Sequence, residues 1–360
     1  MRLLNDTLEK IKEPDYSLIK AVQRKLDNLT KPKGSLGRLE EIAKQIVVIT
    51  GNLKPKLKNK VIFVMAGDHG VAEEGVSAYP KEVTYQMVYN FIKGGAAINV
   101  LANFVGARIV LVDMGIAVDL KTHPKLIIKK IGYGTKNIAK EPAMSKKEAI
   151  ASIEAGIEVF ESEYNKGMYI VGLGEMGIAN TTASSAIASA ITGESIEDIA
   201  GRGTGVDDKG LSKKIEVIKK ALKVNNPLAG DGLDVLAKVG GFEIGGLVGV
   251  ILSASAKKIP IVIDGFITTA AALIAYTIKP QVKEFMIASH CSKEKGHKLM
   301  LKYLGLIPLL DFDMRLGEGT GAALGISISE ASIKILTEMA TFSEAKVSKA
   351  SIEKSTIDKN

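Results

Sequence analysis

A mostly parallel α/β sheet of six strands is the fold predicted by this 360-residue sequence, and three observations carry the prediction. Short apolar runs alternate with segments of helical length. Most of the runs end in a turn rich in glycine and acids. Glycine reaches 36 residues while aromatics make up only 5%. Strands separated by helices favour parallel pairing, and tight strand-to-helix turns consume glycine.

The elements follow in order. Residues 1–58 read as helices, with Leu18, Ile19, Val22, Leu26 and Leu29 at helical spacing. The segment Lys31-Pro-Lys-Gly-Ser-Leu-Gly37 breaks that pattern as a turn, with Ser35 expected to cap the helix that resumes at Leu39, Ile42, Ile46 and Val47. The candidate strands are residues 61–66, 108–112, 126–131, 168–171, 260–263 and 284–288. In such sheets ligands bind beyond the carboxyl ends of the strands. That rule gathers Asp68, His69, Asp113, Glu175, Asp264 and His290 as chemically loaded positions. The polar tail, residues 343–360, is read as the finish of a helix followed by ten frayed residues.

Composition narrows the function. The formal charge of +8 admits an anionic partner, but the lysines are spread along helix-like segments and no basic run is interleaved with aromatics. A nucleic-acid partner is therefore not expected; a small phosphate ester or solubility accounts for the surplus. The single cysteine, Cys291, excludes an internal disulfide and a cysteine zinc site, and is read as structural. Four dispersed histidines suggest no metal triad. No secretory signal is seen at the start, and the longest apolar run, 244–256, is too short for a bilayer. A cytoplasmic protein of a reducing compartment, without a membrane partner, is expected.

Gly172-Leu-Gly-Glu-Met-Gly177 is a G-x-G-x-x-G after a predicted strand, followed by Asn180-Thr-Thr182. It reads as a phosphate loop at a helix start, or as glycines used for tight packing. Glu197 and Asp198 stand near the spacing of a ribose-binding acid but inside a helical pattern, which favours a mononucleotide over NAD. Gly201-Arg-Gly-Thr-Gly205 is a second glycine loop, followed by a helix bearing Lys213 and Lys214. Those lysines are anion ligands or solvated helix charges. Asp68-His69 is read as a pair that fixes its loop. Neither a G-x-S-x-G elbow nor a P-loop is present. In Arg315-Leu-Gly-Glu-Gly-Thr-Gly321, Glu318 lies between glycines and is either a proton acceptor for a bound heterocycle or a solvated turn residue. A nucleotide-binding oxidoreductase and a non-enzymatic nucleotide sensor remain open at this level.

Taken together, Lys31 to Glu40, Ala66-Gly-Asp-His-Gly-Val71, Gly75 to Pro80, Val83-Thr-Tyr-Gln-Met87, Gly172 to Thr182, Gly201 to Gly205, Val262 to Ile267, Ala288-Ser-His290 and Arg315 to Gly321 resemble the nicotinate-nucleotide–dimethylbenzimidazole phosphoribosyltransferase family of cobalamin biosynthesis. The resemblance implies a Rossmann-like six-stranded parallel sheet flanked by helices (residues 59–329) and a small helical domain from both chain ends (1–58 with 330–360). It also implies a homodimer without cofactor or metal. The implied reaction moves the phosphoribosyl group of nicotinate mononucleotide to 5,6-dimethylbenzimidazole, with inversion at C1′. Glu318 is then the general base, and Glu175 a second carboxylate that supports it or contacts the nucleotide. Gly177, Asn180, Thr181, Gly203 and Lys214 are implied phosphate and ribose contacts. Ser77, Gln86 and Met87 are expected to line the benzimidazole pocket. Asp264 and Arg315 are expected near the ribose or the nicotinate carboxylate.

Overall fold

A computed structural model describes residues 1–348 of the chain. The expected fraying of residues 351–360, and the end of the expected 330–360 segment, lie outside the described residues. One sheet contains β1 (Lys60–Gly67), β2 (Ala107–Gly115), β3 (Leu126–Ile128), β4 (Ile170–Met176), β5 (Ile261–Ile263) and β6 (Met286–Ala288). Their order is β3-β2-β1-β4-β5-β6, and every neighbouring pair is parallel. The six-stranded parallel α/β fold is as the sequence predicted. The chain winds outward from β1 to β3, then returns to lay β4 on the other side of β1. That reversal of winding opens a crevice beyond the carboxyl ends of β1 and β4.

The pleat explains the unbroken apolar run of β1. Val61, Phe63 and Met65 join the core on one face, while Ile62, Val64 and Ala66 join the core on the other. A strand covered on both sides needs no polar alternation. On the first face lie the helices Lys146–Tyr164 and Phe242–Ala256. Their backbones touch: a Cβ on Gly156 would stand 2.1 Å from the Gly246 carbonyl oxygen. The apolar run noted in the sequence is this buried helix. No helix among the described residues is long and apolar enough to cross a membrane.

On the second face the helix Thr320–Glu338 packs against β4, the helix Arg38–Thr50 and the helix Ala97–Val105. Near its end Thr341 bridges Leu29, and the Thr30 amide donates to the Ala340 carbonyl. The first helix, Arg2–Lys10, instead packs on Lys146–Tyr164 and Phe242–Ala256. Ser35 does not cap the helix Arg38–Thr50, which starts after Gly37. The turn is fastened by Glu40, whose carboxylate accepts the Leu36 amide at 3.1 Å and pairs with buried Lys31 at 2.7 Å.

Candidate active site

The chain ends of β4, β5 and β6 and the turn before the helix Thr320–Glu338 enclose a cleft of about 660 Å³. Glu318 is placed there by its backbone. Gly317, Glu318 and Gly319 all have positive φ, at 83°, 63° and 97°. A side chain in the left-handed region is uncommon, and such strain is found where the surroundings over-determine it. Here the surroundings are visible. Asp264, just after β5, accepts the backbone N–H groups of Gly319 at 3.2 Å and Ala322 at 3.0 Å, at the first turn of the helix Thr320–Glu338. Glu175, near the end of β4, lies against the turn from the other side: a Cβ on Gly317 would stand 2.2 Å from its Oε1. Its Oε2 accepts the side-chain amide of Asn180.

The Glu318 carboxylate is 6% exposed, and its Oε2 accepts the Ile98 amide at 3.1 Å, in the first turn of the helix Ala97–Val105. Burial pushes its carboxyl above the ordinary range despite that bond. Burial likewise pushes Glu175 up to about 8, with the Asp264 and Glu243 carboxylates adding to it and the Asn180 amide opposing. Asp264 is pushed up to about 7 by burial, against the backbone N–H groups it accepts. Three carboxyl groups thus share one partly dry site, where each favours its neutral form more than in water.

A second cluster lies at the start of the helix Asn180–Thr192. Lys214 is 1% exposed and its Nζ donates to Thr181 Oγ1 at 2.8 Å. Gly203 abuts both: a Cβ there would stand 2.8 Å from Thr181 Oγ1 and 3.1 Å from Lys214 Nζ. Burial lowers Lys214 to about 8, partly offset by Glu294. Arg315 ties the loop to the Glu318 turn by donating to the Gly203 carbonyl at 3.0 Å. A buried cation, a hydroxyl and a helix N-terminus facing one loop can receive an anion.

Apolar lining comes from Val83 and Met87, one turn apart on the helix Val83–Lys93, and from Met176, Ile178 and Phe266. That helix is tied to Ile178, whose amide donates to Thr84 Oγ1 at 3.1 Å.

Of the residues singled out in the sequence, Glu318, Glu175, Met87, Gly177, Asn180, Thr181, Gly203, Asp264 and Arg315 line this cleft. Lys214 stands behind Thr181 rather than on the wall. Its burial overturns the solvated-charge alternative. Ser77 and Gln86 lie outside the wall of this cleft as described, Ser77 one contact behind the lining residue Thr204. Ser77 Oγ lies 3.2 Å from Thr204 Oγ1, and Gln86 is on the exposed face of its helix. The G-x-G-x-x-G is corrected too. Gly172 and Gly174 lie inside β4, not in a loop, and the helix begins only at Asn180. A Cβ on Gly174 would stand 2.3 Å from the Glu318 carbonyl oxygen, so this glycine admits the backbone of the Glu318 turn. Tight packing is therefore the reading that holds.

His69 and Asp68 play the structural part expected, but not as a pair: each fastens the loop to another element. His69 Nε2 meets buried Glu243 at 2.7 Å, and Asp68 accepts the Ala117 amide at 2.8 Å. Cys291 is buried. Sequence reasoning assigned nothing to Tyr79, Phe266, Ser292 or Glu294, which also line the cleft, and noted His290 only as a strand-end residue. Glu294 follows a lysine in a short polar stretch that looks like a solvated turn; only its 6% exposure reveals it.

Fold and cleft together define a phosphoribosyltransferase: a family model of that description matches residues 11–347. The chain is 56% identical over 348 residues to a protein of Roseiflexus sp. (strain RS-1), and 56% identical over 350 residues to one of Desulforudis audaxviator (strain MP104C). Both relatives are named nicotinate-nucleotide–dimethylbenzimidazole phosphoribosyltransferase, and each comparison covers 97% of this chain and 99% of the relative. The crystal structure of the enzyme of that name from Thermus thermophilus superposes with a TM-score of 0.89 at 41% identity, covering 93% of this chain and 100% of that one. The chain belongs to the nicotinate-nucleotide–dimethylbenzimidazole phosphoribosyltransferase family and is an enzyme of the phosphoribosyltransferase class. The sensor and oxidoreductase alternatives fall with that assignment.

The raised carboxyls make stability depend on pH. Glu175 and Asp264 bind protons more tightly in the folded than in the unfolded chain, where they titrate at about 4. Their stabilisation is therefore fully present below about pH 4 and is lost as pH rises through about 7 and about 8. His69 is pulled down by burial but raised overall by the Glu243 carboxylate, and acts in the same direction. The thermal midpoint should fall by a few degrees between pH 6 and pH 9, and the fall should be smaller in Glu175→Gln. Parallel melting curves for the two proteins across that range would refute the assignment.

Proposed function

We propose that this cleft transfers the phosphoribosyl group of nicotinate mononucleotide to a ring nitrogen of 5,6-dimethylbenzimidazole or a related base. The products are an α-riboside 5′-phosphate and nicotinate. The observation that carries this reading is Glu318, a buried carboxylate fixed by three consecutive left-handed residues in a cleft with apolar lining.

The chemistry needs little else. The pyridinium of the nucleotide already bears positive charge, so the electrons of its bond to C1′ neutralise the ring as nicotinate leaves. One benzimidazole nitrogen forms the new bond to C1′. The N–H proton on the other nitrogen goes to Glu318, acting as general base. Attack from the face opposite nicotinate inverts the β linkage to α. Met87, Val83 and Met176 would pack on the flat base. Gly203, Thr181 and Lys214 would receive the phosphate. Glu175, neutral at pH 7 because it titrates at about 8, would steady the turn and offer a proton-bearing oxygen to the nucleotide. Asp264 would hold the turn by accepting the Gly319 and Ala322 N–H groups while facing the ribose from the cleft wall. The small domain from both chain ends, a homodimer and a cytoplasmic location belong to the same proposal.

Incubation of the purified chain with nicotinate mononucleotide and a panel of benzimidazoles, purines and phenols, followed by chromatography, tests it. Formation of an α-riboside phosphate with release of one nicotinate per turnover is expected for the benzimidazoles. No α-riboside from any base would remove the proposal.

A further inference from the structure

One buried charge at the phosphate cluster has the wrong sign for it. Glu294 is 6% exposed, and its Oε1 accepts the Gly203 N–H at 3.0 Å. Its Oε2 has no hydrogen-bond partner and packs where a Cβ on Gly201 would stand 2.1 Å away. Gly203 is the residue that abuts Thr181 Oγ1 and Lys214 Nζ. The carboxylate therefore occupies the amide of the loop residue that abuts the buried cation.

We propose that Glu294 is a specificity-determining residue of the phosphate subsite: its carboxylate stands in for the substrate's phosphate at the Gly203 amide and must yield that donor when a phosphate ester binds. The inference rests on the reading of Gly203, Thr181 and Lys214 as the phosphate subsite. Its physical content is competition between like charges. Glu294 satisfies the Gly203 N–H and gives Lys214 a counter-charge, which helps keep both oriented. A monoanion gains too little from Lys214 to displace a tethered carboxylate. A phosphate ester, with more charge and three acceptor oxygens, does displace it. The subsite thereby selects phosphorylated ribosides over other anions, at the cost of some affinity for its own substrate.

The experiment is calorimetric titration of ribose 5-phosphate into the full-length chain at pH 6.5, where Lys214, titrating at about 8, is charged. Glu294→Gln keeps the size and removes the charge. It should bind ribose 5-phosphate about tenfold more tightly or better, and should also acquire measurable affinity for acetate. Equal or weaker binding by a folded Glu294→Gln overturns the inference and makes Glu294 a strut of the loop. The unaltered protein carries a second readout that needs no variant. The Gly203 amide resonance should shift on saturation with ribose 5-phosphate as it exchanges one acceptor for another, and an unmoved resonance at saturation overturns the inference. If the unaltered protein binds no ribose 5-phosphate, it is the underlying phosphate-subsite reading that fails.

Discussion

Glu318→Gln should lower transfer by roughly 10²- to 10⁴-fold while leaving the fold and nucleotide binding intact. The amide fills the same volume and can still accept the Ile98 N–H, so the left-handed turn has no reason to collapse. What disappears is the capacity to take a proton. The pH profile distinguishes this from simple misplacement. A base works in its ionised form, and burial raises the Glu318 carboxyl, so the rate should climb with pH through an ionisation above the ordinary carboxylate range of about 4.3. That rising limb should vanish in Glu318→Gln. A variant that retains near-parental kcat, or one that is slow yet keeps the same limb, would assign the proton to another group.

Gly174→Ala should damage the same turn from behind. The added Cβ would stand 2.3 Å from the Glu318 carbonyl oxygen and 3.0 Å from the Gly319 Cα, both of them backbone atoms with nowhere to rotate. Overpacking of this kind costs about 1–3 kcal/mol. A shift of the turn by about 1 Å would cost roughly 10²-fold in rate, because the base must meet the ring N–H in line. Gly172→Ala is the natural control. Its Cβ would meet only side-chain carbons of Ile62, Ala322 and Ile326, at 3.1–3.2 Å, tight contacts without the backbone overlap of Gly174→Ala, so a smaller loss is expected. Activity and melting temperature measured for both should separate them clearly. Parental kcat in Gly174→Ala would show that the turn does not depend on this contact.

These two glycines also mark where sequence reading succeeds and where it fails. The strands were legible because both faces of the sheet are covered, which leaves β1 as an uninterrupted apolar run bounded by polar turns. The Glu318 turn was legible because its flanking glycines point to left-handed backbone, and the structure puts all three residues there. The G-x-G-x-x-G misled because a strand interior can contain glycines when another backbone presses on it. That pressure comes from residues 318–326, far away in the chain. Lys214 carried a usable signal: it shares a stripe with Val217, Ile218 and Ala221, all buried. Periodicity alone would have placed it inside. Glu294 carried none, since its burial is created by the Gly201–Gly205 loop folding over it. Ser77 and Gln86 rested on resemblance alone, since no local pattern encodes how a loop or an exposed helix face sits against a cleft.

The helix Thr320–Glu338 begins at the Glu318 turn and ends beside residues from the opposite end of the chain. Its last buried anchors, Ile333 and Leu336, lie near the end of the described residues. One helix therefore serves two ends. It starts at the turn that presents Glu318 and, through Ala322, Ile326, Ile333 and Leu336, completes the core on the second face of the sheet, so loosening its far end would be felt at the carboxylate.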